Sequence, residues 1–213
     1  MTIALVTAAA SDPVTTAEAK THMRIDFSTD DTYIEGLITA ATDWVQWRSG
    51  RQLVSATFRQ SWDSYPTVIY PSKNDWLQSG ARIWQPGMET AFVPLARGPV
   101  SSVSWVKYYD ADDVQQTVSS SDYWVDTDSD PARVVPKNGW PTIYLGRPNA
   151  FQVQFVAGYG NAAAVPKLLK QAVLWLVAHW YENREAVVMN QYAREVPMGV
   201  ESACMRYSSG ELP

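Results

Sequence analysis

The chain has 213 residues, a formal net charge of −5 and only 17 Lys and Arg. That length carries a sizeable core without a disulfide or metal staple. A low count of basic residues with no basic cluster argues against holding nucleic acid by phosphate neutralisation.

Cys204 is the single cysteine, so no internal disulfide forms, which suits a reducing compartment. The N-terminus has no basic n-region and reads as a poor secretion signal. No apolar run has transmembrane length. Ten Trp and eleven Tyr stand out. Such side chains carry large burial area with a polar tip and serve interfaces and sugar sites as well as cores.

Residues 1–14 read as a loose arm. Thr15 and Glu18 match a capping box opening a short helix to about Met23. A second helix is predicted over 30–49. Thr29 or Asp30 is its cap, Asp30 and Asp31 lie at its positive end, and Gly50 is its stop. Ile34, Leu37, Ile38, Ala41, Trp44 and Val45 line one side of it.

From 53 to 62 the pattern alternates and is rich in β-formers, which predicts a strand. Residues 64–92 read as a long loop or irregular hairpin. Further strands are predicted at 91–96, 100–110, 114–119, 122–127, 132–136 and 150–159, with a hairpin turn at Asp110 to Asp113. A run of strands enclosed by helices predicts an α+β protein, not alternating βαβ units.

The strongest helix signal is 166–185, with Pro166 at its start. Leu169, Ala172, Val173, Leu176, Val177 and Trp180 form one apolar stripe. Another side begins polar at Lys167, Lys170 and Gln171 and turns apolar at Leu174 and Ala178, while a third line carries Leu168 and Trp175. Such a helix is either the centre of its own domain or has one face against a neighbouring subunit. His179 on it reads as a packing residue. After Glu185 the signal weakens to a tail, with a short helix possible from Pro197. Tails of this kind are disordered or ordered by a partner.

Candidate chemistry is sparse. Gly158, Gly160 and Ala163 match G-x-G-x-x-A after a strand. However, Pro166 restarts the helix beyond the motif and no βαβ unit follows, so the match reads as a turn and not a dinucleotide site. Asp126, Asp128 and Asp130 have the spacing that opens a calcium loop, but Pro131 and Lys137 stand where glycine and glutamate belong, so they read as an acidic turn. His22, His179 and Cys204 have no zinc spacing. Asp63, Glu89 and Asp126 are the carboxylates that a sugar-cleaving site would use, with Trp76, Trp84 and Trp124 as stacking surfaces. That gives an alternative reading, a carbohydrate-binding or carbohydrate-active tail component.

Taken together and in order, several stretches resemble the head–tail connector (adaptor) proteins of long-tailed phages and prophages. They are 13–26, 30–54, the strand with Trp62, 95–113, 122–136, 153–160, 165–188 and 197–207. Residues 67–92 are longer than that family's link.

The resemblance implies a non-enzymatic structural protein without a cofactor. It forms a ring, of twelve subunits in the family, beneath the portal protein at the virion head–tail junction. The ring extends the DNA channel and docks a stopper or tail-terminator protein. It implies a ring body of 1–50 and 161–185, an inserted, mainly antiparallel β-region at 51–160 and an extended C-terminal arm at 186–213. Leu168, Leu174, Trp175 and Ala178 are the candidate subunit interface. Val188, Tyr192, Arg194, Val196, Met198, Val200, Met205 and Tyr207 are the candidate portal-binding residues of the arm. DNA passes without sequence-specific binding, no membrane is involved, and assembly takes place in the host cytoplasm.

Overall fold

The computed structural model describes residues 1–66, 92–144, 146–184 and 198–208. The fold is α+β, as the sequence predicts. It has two cores, one between helices and one inside a sheet region.

The helical core begins with α1 (Thr16–Met23) and α2 (Asp31–Ser49). The capping box forms as predicted: the Glu18 N–H donates to the Thr15 hydroxyl, and the Thr15 N–H donates to the Glu18 carboxylate at 2.7 Å. Arg24 ends α1 and Gly50 ends α2, both in the left-handed conformation. Ile34, Ile38, Ala41 and Val45 of α2 are buried against α3 (Lys167–Glu182), whose Leu169, Val173, Leu176 and Val177 are also buried. Each of the Ile, Val and Leu side chains contributes roughly 1.5–3 kcal/mol relative to exposure. Ring contact between Tyr33 and Tyr181 places the start of α2 beside the end of α3, so the two helices run antiparallel.

Two expectations need correction. Residues 2–7 are not a loose arm but strand β1 (Thr2–Thr7), paired antiparallel with β2 (Ala56–Trp62). All six residues of β1 are exposed, so the pairing rests on backbone bonds and leaves no burial alternation for sequence reading to detect. The β-region therefore also recruits residues outside 51–160.

Second, residues 198–207 are not an extended arm. They form α4 (Met198–Tyr207), which packs on α2 and α3 with Val200, Ala203 and Cys204 buried in the helical core.

The remaining strands are β3 (Val93–Pro94), β4 (Val100–Tyr109), β5 (Gln115–Val118), β6 (Tyr123–Asp126), β7 (Arg133–Pro136) and β8 (Phe151–Ala157). Among the described residues they make an antiparallel five-stranded sheet, β1-β2-β8-β4-β5, and a three-stranded sheet, β3-β7-β6. In β8, Phe151, Val153, Phe155 and Ala157 alternate inward, the period-two pattern of a strand with one face on a core. Phe151 sits among Trp62, Tyr65 and Trp140 at ring distances of 4.8–5.7 Å. These aromatics fill the sheet core, which answers part of the aromatic excess in the composition. The hairpin at Asp110 to Asp113 forms between β4 and β5.

Candidate functional site

The candidate interface residues divide between two sides of α3. Leu174 and Ala178 lie, half-buried, on the outward line of the helix with Lys167 and Gln171. Leu168 and Trp175 lie on the flank. Trp175 is partly covered by α4, since a Cβ at Gly199 would meet its ring at 3.3 Å. Trp175, Ala178, His179, Glu182 and Gly199 border a shallow cleft of about 350 Å³. The chain thus supplies its own cover for the Trp175 side. Leu168, Leu174 and Trp175 also pack partly against the helical core.

The outward line of α2 escaped the sequence reading. Its buried face is the regular one, and the opposite face carries Tyr33, Gly36, Ala40, Asp43 and Trp47, all exposed. Trp47 is 54% exposed. The signal was present as a large aromatic on the wrong side of an amphipathic helix.

Of the candidate arm residues, Val188, Tyr192, Arg194, Val196 and the Met198 side chain fall outside the described residues. Val200 is a core residue with no exposure, and its assignment to a free arm is corrected. Met205 on the same helix is 57% exposed, and Tyr207 is half-buried.

Arg51 joins three parts of the molecule. Its Nε donates to the Tyr207 carbonyl at the end of α4 at 2.6 Å, and its two terminal nitrogens donate to the Asp130 carboxylate in the β6–β7 loop. The same arginine follows the Gly50 stop of α2. A planar fork of donors suits this bidentate bond. Arg48 and Glu201 add a looser ion pair between α2 and α4 at 3.8 Å.

At the opposite end of the helices, Asp30 accepts from the Tyr181 hydroxyl at 2.6 Å and from Arg184 at 2.9 Å. The Arg184 guanidinium lies over the Tyr33 and Tyr181 rings at 4.7 and 5.2 Å. Asp30 is the residue before α2, yet its carboxylate caps no backbone N–H. It ties the end of α3 to the start of α2 instead.

The Tyr181 hydroxyl bond, followed by Arg184, holds the Asp30 carboxyl below the usual carboxylate range. A depressed carboxyl stabilises the fold above its unfolded value near 4, and that contribution disappears as pH falls through its folded value. Asp30→Asn should therefore flatten the acid limb of stability. Urea midpoints measured from pH 7 down to pH 3 should fall less steeply below about pH 4 in the variant than in the native chain. Parallel acid limbs would show that the carboxylate is not held in solution.

The motifs that suggested chemistry are used structurally. Asp126 accepts from the backbone of Asp128 and Ser129 and from Arg133 at 2.8 Å, and Asp130 is committed to Arg51. The acidic turn points its carboxylates at different cations instead of at one centre. Asp63 accepts from the Asn149 N–H. Trp124 is exposed on β6 with the Lys137 ammonium 5.4 Å from its ring centre, while Trp76, Trp84 and Glu89 lie outside the described residues. No group of three or more His, Cys, Asp and Glu among the described residues could hold a metal ion. No described helix is long and apolar enough to cross a membrane.

Gly158 and Gly160 form the predicted turn, which stitches the two cores together. The Gly158 N–H donates to the Pro99 carbonyl, the Tyr159 N–H to Leu53, and the Ser55 N–H to Gly160, at 2.8, 3.0 and 2.8 Å.

The larger cleft, about 560 Å³, opens between β1, β2 and α2. Ile3, Leu5, Ala56 and Phe58 form its apolar wall, and Thr42, whose hydroxyl has no partner, lines its α2 side.

Residues 14–85 match the family described as Phage gp6-like head-tail connector protein, which bears out the resemblance read from the ordered motifs.

The fold is shared end to end with solved structures. A chain of "Neck of empty GTA particle computed with C6 symmetry" superposes with a TM-score of 0.72 at 22% identity. One of "Virion of native gene transfer agent (GTA) particle" gives 0.70 at 23%, and one of "Neck of native GTA particle computed with C12 symmetry" gives 0.69 at 23%. Each match covers 100% of both chains. No curated protein matches the sequence.

Proposed function

We propose that this chain forms a ring beneath the portal protein at the head–tail junction of a phage-like particle, extends the DNA channel, and offers the stopper or tail-terminator its docking surface. The observation that carries the reading is the connector-family match at 14–85 on a fold shared end to end with particle-neck proteins. A twelve-subunit ring is supported by the neck of that fold computed with C12 symmetry.

The function is geometric. Helix faces pack side by side, and the C-terminal segment reaches the portal. Val188, Tyr192, Arg194 and Val196 remain the candidate portal contacts. Met198, exposed Met205 and half-buried Tyr207 stay with them, while Val200 holds α4 on the body. A net charge of −5 suits a wall that DNA must slide past, because phosphate contacts made by Lys and Arg would retain it.

Electron microscopy of the chain mixed with its portal protein should show a symmetric collar under the portal. Particles made without the chain should hold packaged heads with no tails joined. Tailed particles from the same deletion would overturn the proposal.

A further inference from the structure

We propose that the ring closes head to tail, with the outward line of α2 in one copy lying antiparallel against the outward line of α3 in the next. This rests on the ring reading above and names the surface that the second copy covers.

The first support is what each helix leaves open. The two helices bury facing sides against each other, so their outward lines point away from one another. On α2 that line presents the exposed Trp47 and the small residues Gly36 and Ala40, while Tyr33 at its foot turns to Tyr181 of its own chain. Space is open at Gly36, where an added Cβ would meet nothing within 4 Å. On α3 the line presents Leu174 and Ala178. An aromatic-ended, small-centred face on one side and an aliphatic one on the other fit a heterologous contact, in which two different patches meet and rotation closes a ring.

Charge gives the second support. The exposed residues of α2 include Glu35 and Asp43 and no Lys or Arg. The outward line of α3 starts at the exposed Lys167, which has no carboxylate partner among the described residues, whereas Lys170 beside it is paired with Glu18 at 3.5 Å. An α2 face on another α2 face would set Asp43 near Asp43, while α2 on α3 sets Asp43 near Lys167. Such complementarity fixes register and rejects the wrong pairing.

Register gives the third. Rotation about an axis along the helices keeps every residue at its own height, and the Tyr33–Tyr181 contact ties the heights of α2 and α3. Up α2 from Tyr33 the outward residues are Gly36, Ala40, Asp43 and Trp47. Down α3 from Tyr181 they are Ala178, Leu174, Gln171 and Lys167. Both lines advance by alternating steps of three and four, the ridge spacing by which helices pack. The neighbour's Gly36 therefore meets Ala178, its Ala40 meets Leu174, its Asp43 meets Gln171 one turn from Lys167, and its Trp47 lies over Lys167 as a cation–π partner.

The test is oxidative cross-linking of the full chain carrying both Ala40→Cys and Leu174→Cys, alone at high concentration and assembled on its portal. Cys204 is fully buried with its thiol pushed up to about 11, so the native chain is the uncross-linked control. The double variant should give a ladder of oligomers ending in a closed ring. Each single variant should remain uncross-linked, and an equal mixture of the two should stop at dimers. Asp43→Lys in the double variant should reduce the ladder about tenfold, and Lys167→Glu added to it should restore the ladder.

Dimers from Ala40→Cys alone would mean a two-fold contact and overturn the inference. A ring seen by microscopy with no ladder would also overturn it and leave the connector reading standing. Absence of both ring and portal binding would remove the connector reading itself.

Discussion

Val200→Asp will lower the stability of the chain by about 3–5 kcal/mol, the cost of an unpaired charge in a core. Val200 is fully buried between α4 and the α2–α3 pair, with Cys204, also fully buried, one turn further along the helix. The buried residues of the cluster are aliphatic apart from the Cys204 thiol, a weak donor, so a carboxylate there finds no strong hydrogen bond among them. At this chain length the melting temperature should drop by roughly 10 °C or more in calorimetry. Met205→Asp is the internal control. It lies on the same helix, is 57% exposed, and should move stability by no more than about 0.5 kcal/mol. Equal stability of the Val200 variant and the native chain would mean that α4 is undocked in solution and that the whole C-terminal segment is an arm. Truncation before α4, which an arm would tolerate, should likewise lower stability because it opens the helical core.

That α4 belongs to the body was only partly legible in sequence. Met198 to Tyr207 has no long amphipathic run, and its three buried residues are Val, Ala and Cys, which read as small and unremarkable. Helix α3 was legible because Leu169, Val173, Leu176 and Val177 repeat over sixteen residues. The order of strands in 93–157 was legible because each alternates or is bounded by turn residues. Strand β1 was not, since it buries no side chain and is defined by a partner fifty or more residues away. The contacts of Arg51 and Asp30 were illegible for a related reason. Arg51 meets Tyr207 and Asp130, and Asp30 meets Tyr181 and Arg184, across separations that local pattern does not encode. On the candidate site, the buried side of α3 could be read directly. The outward side of α2 required knowing which of its faces the other helices cover.

Gly158→Ala should be as damaging as the Val200 variant, although it adds a single methyl group. Gly158 has φ of +128°, a conformation that L side chains rarely adopt. A Cβ built there would lie 2.6 Å from Ser55 Cα, 2.7 Å from Ser55 N and 2.8 Å from the Val54 carbonyl carbon. These are backbone atoms, so no side chain can swing away. Ser55 is itself fixed by its N–H bond to the Gly160 carbonyl. Relief requires the strand end at 157–160 to move off 53–55, which breaks the stitch between the helical and β cores. Strain of this kind costs about 1–3 kcal/mol from the backbone conformation alone, and overpacking adds a similar amount. Denaturant unfolding should therefore show a midpoint well below native, and the two cores should begin to unfold separately, with β-sheet and helix signals no longer coincident. The same substitution distinguishes the turn from a nucleotide loop. If Gly158 served a dinucleotide, NAD would raise the melting point of the native chain and not of the variant; as a turn, NAD should move neither. A variant with native stability would mean that 53–55 and 157–160 are not packed this closely, and the two cores would then have to be joined elsewhere.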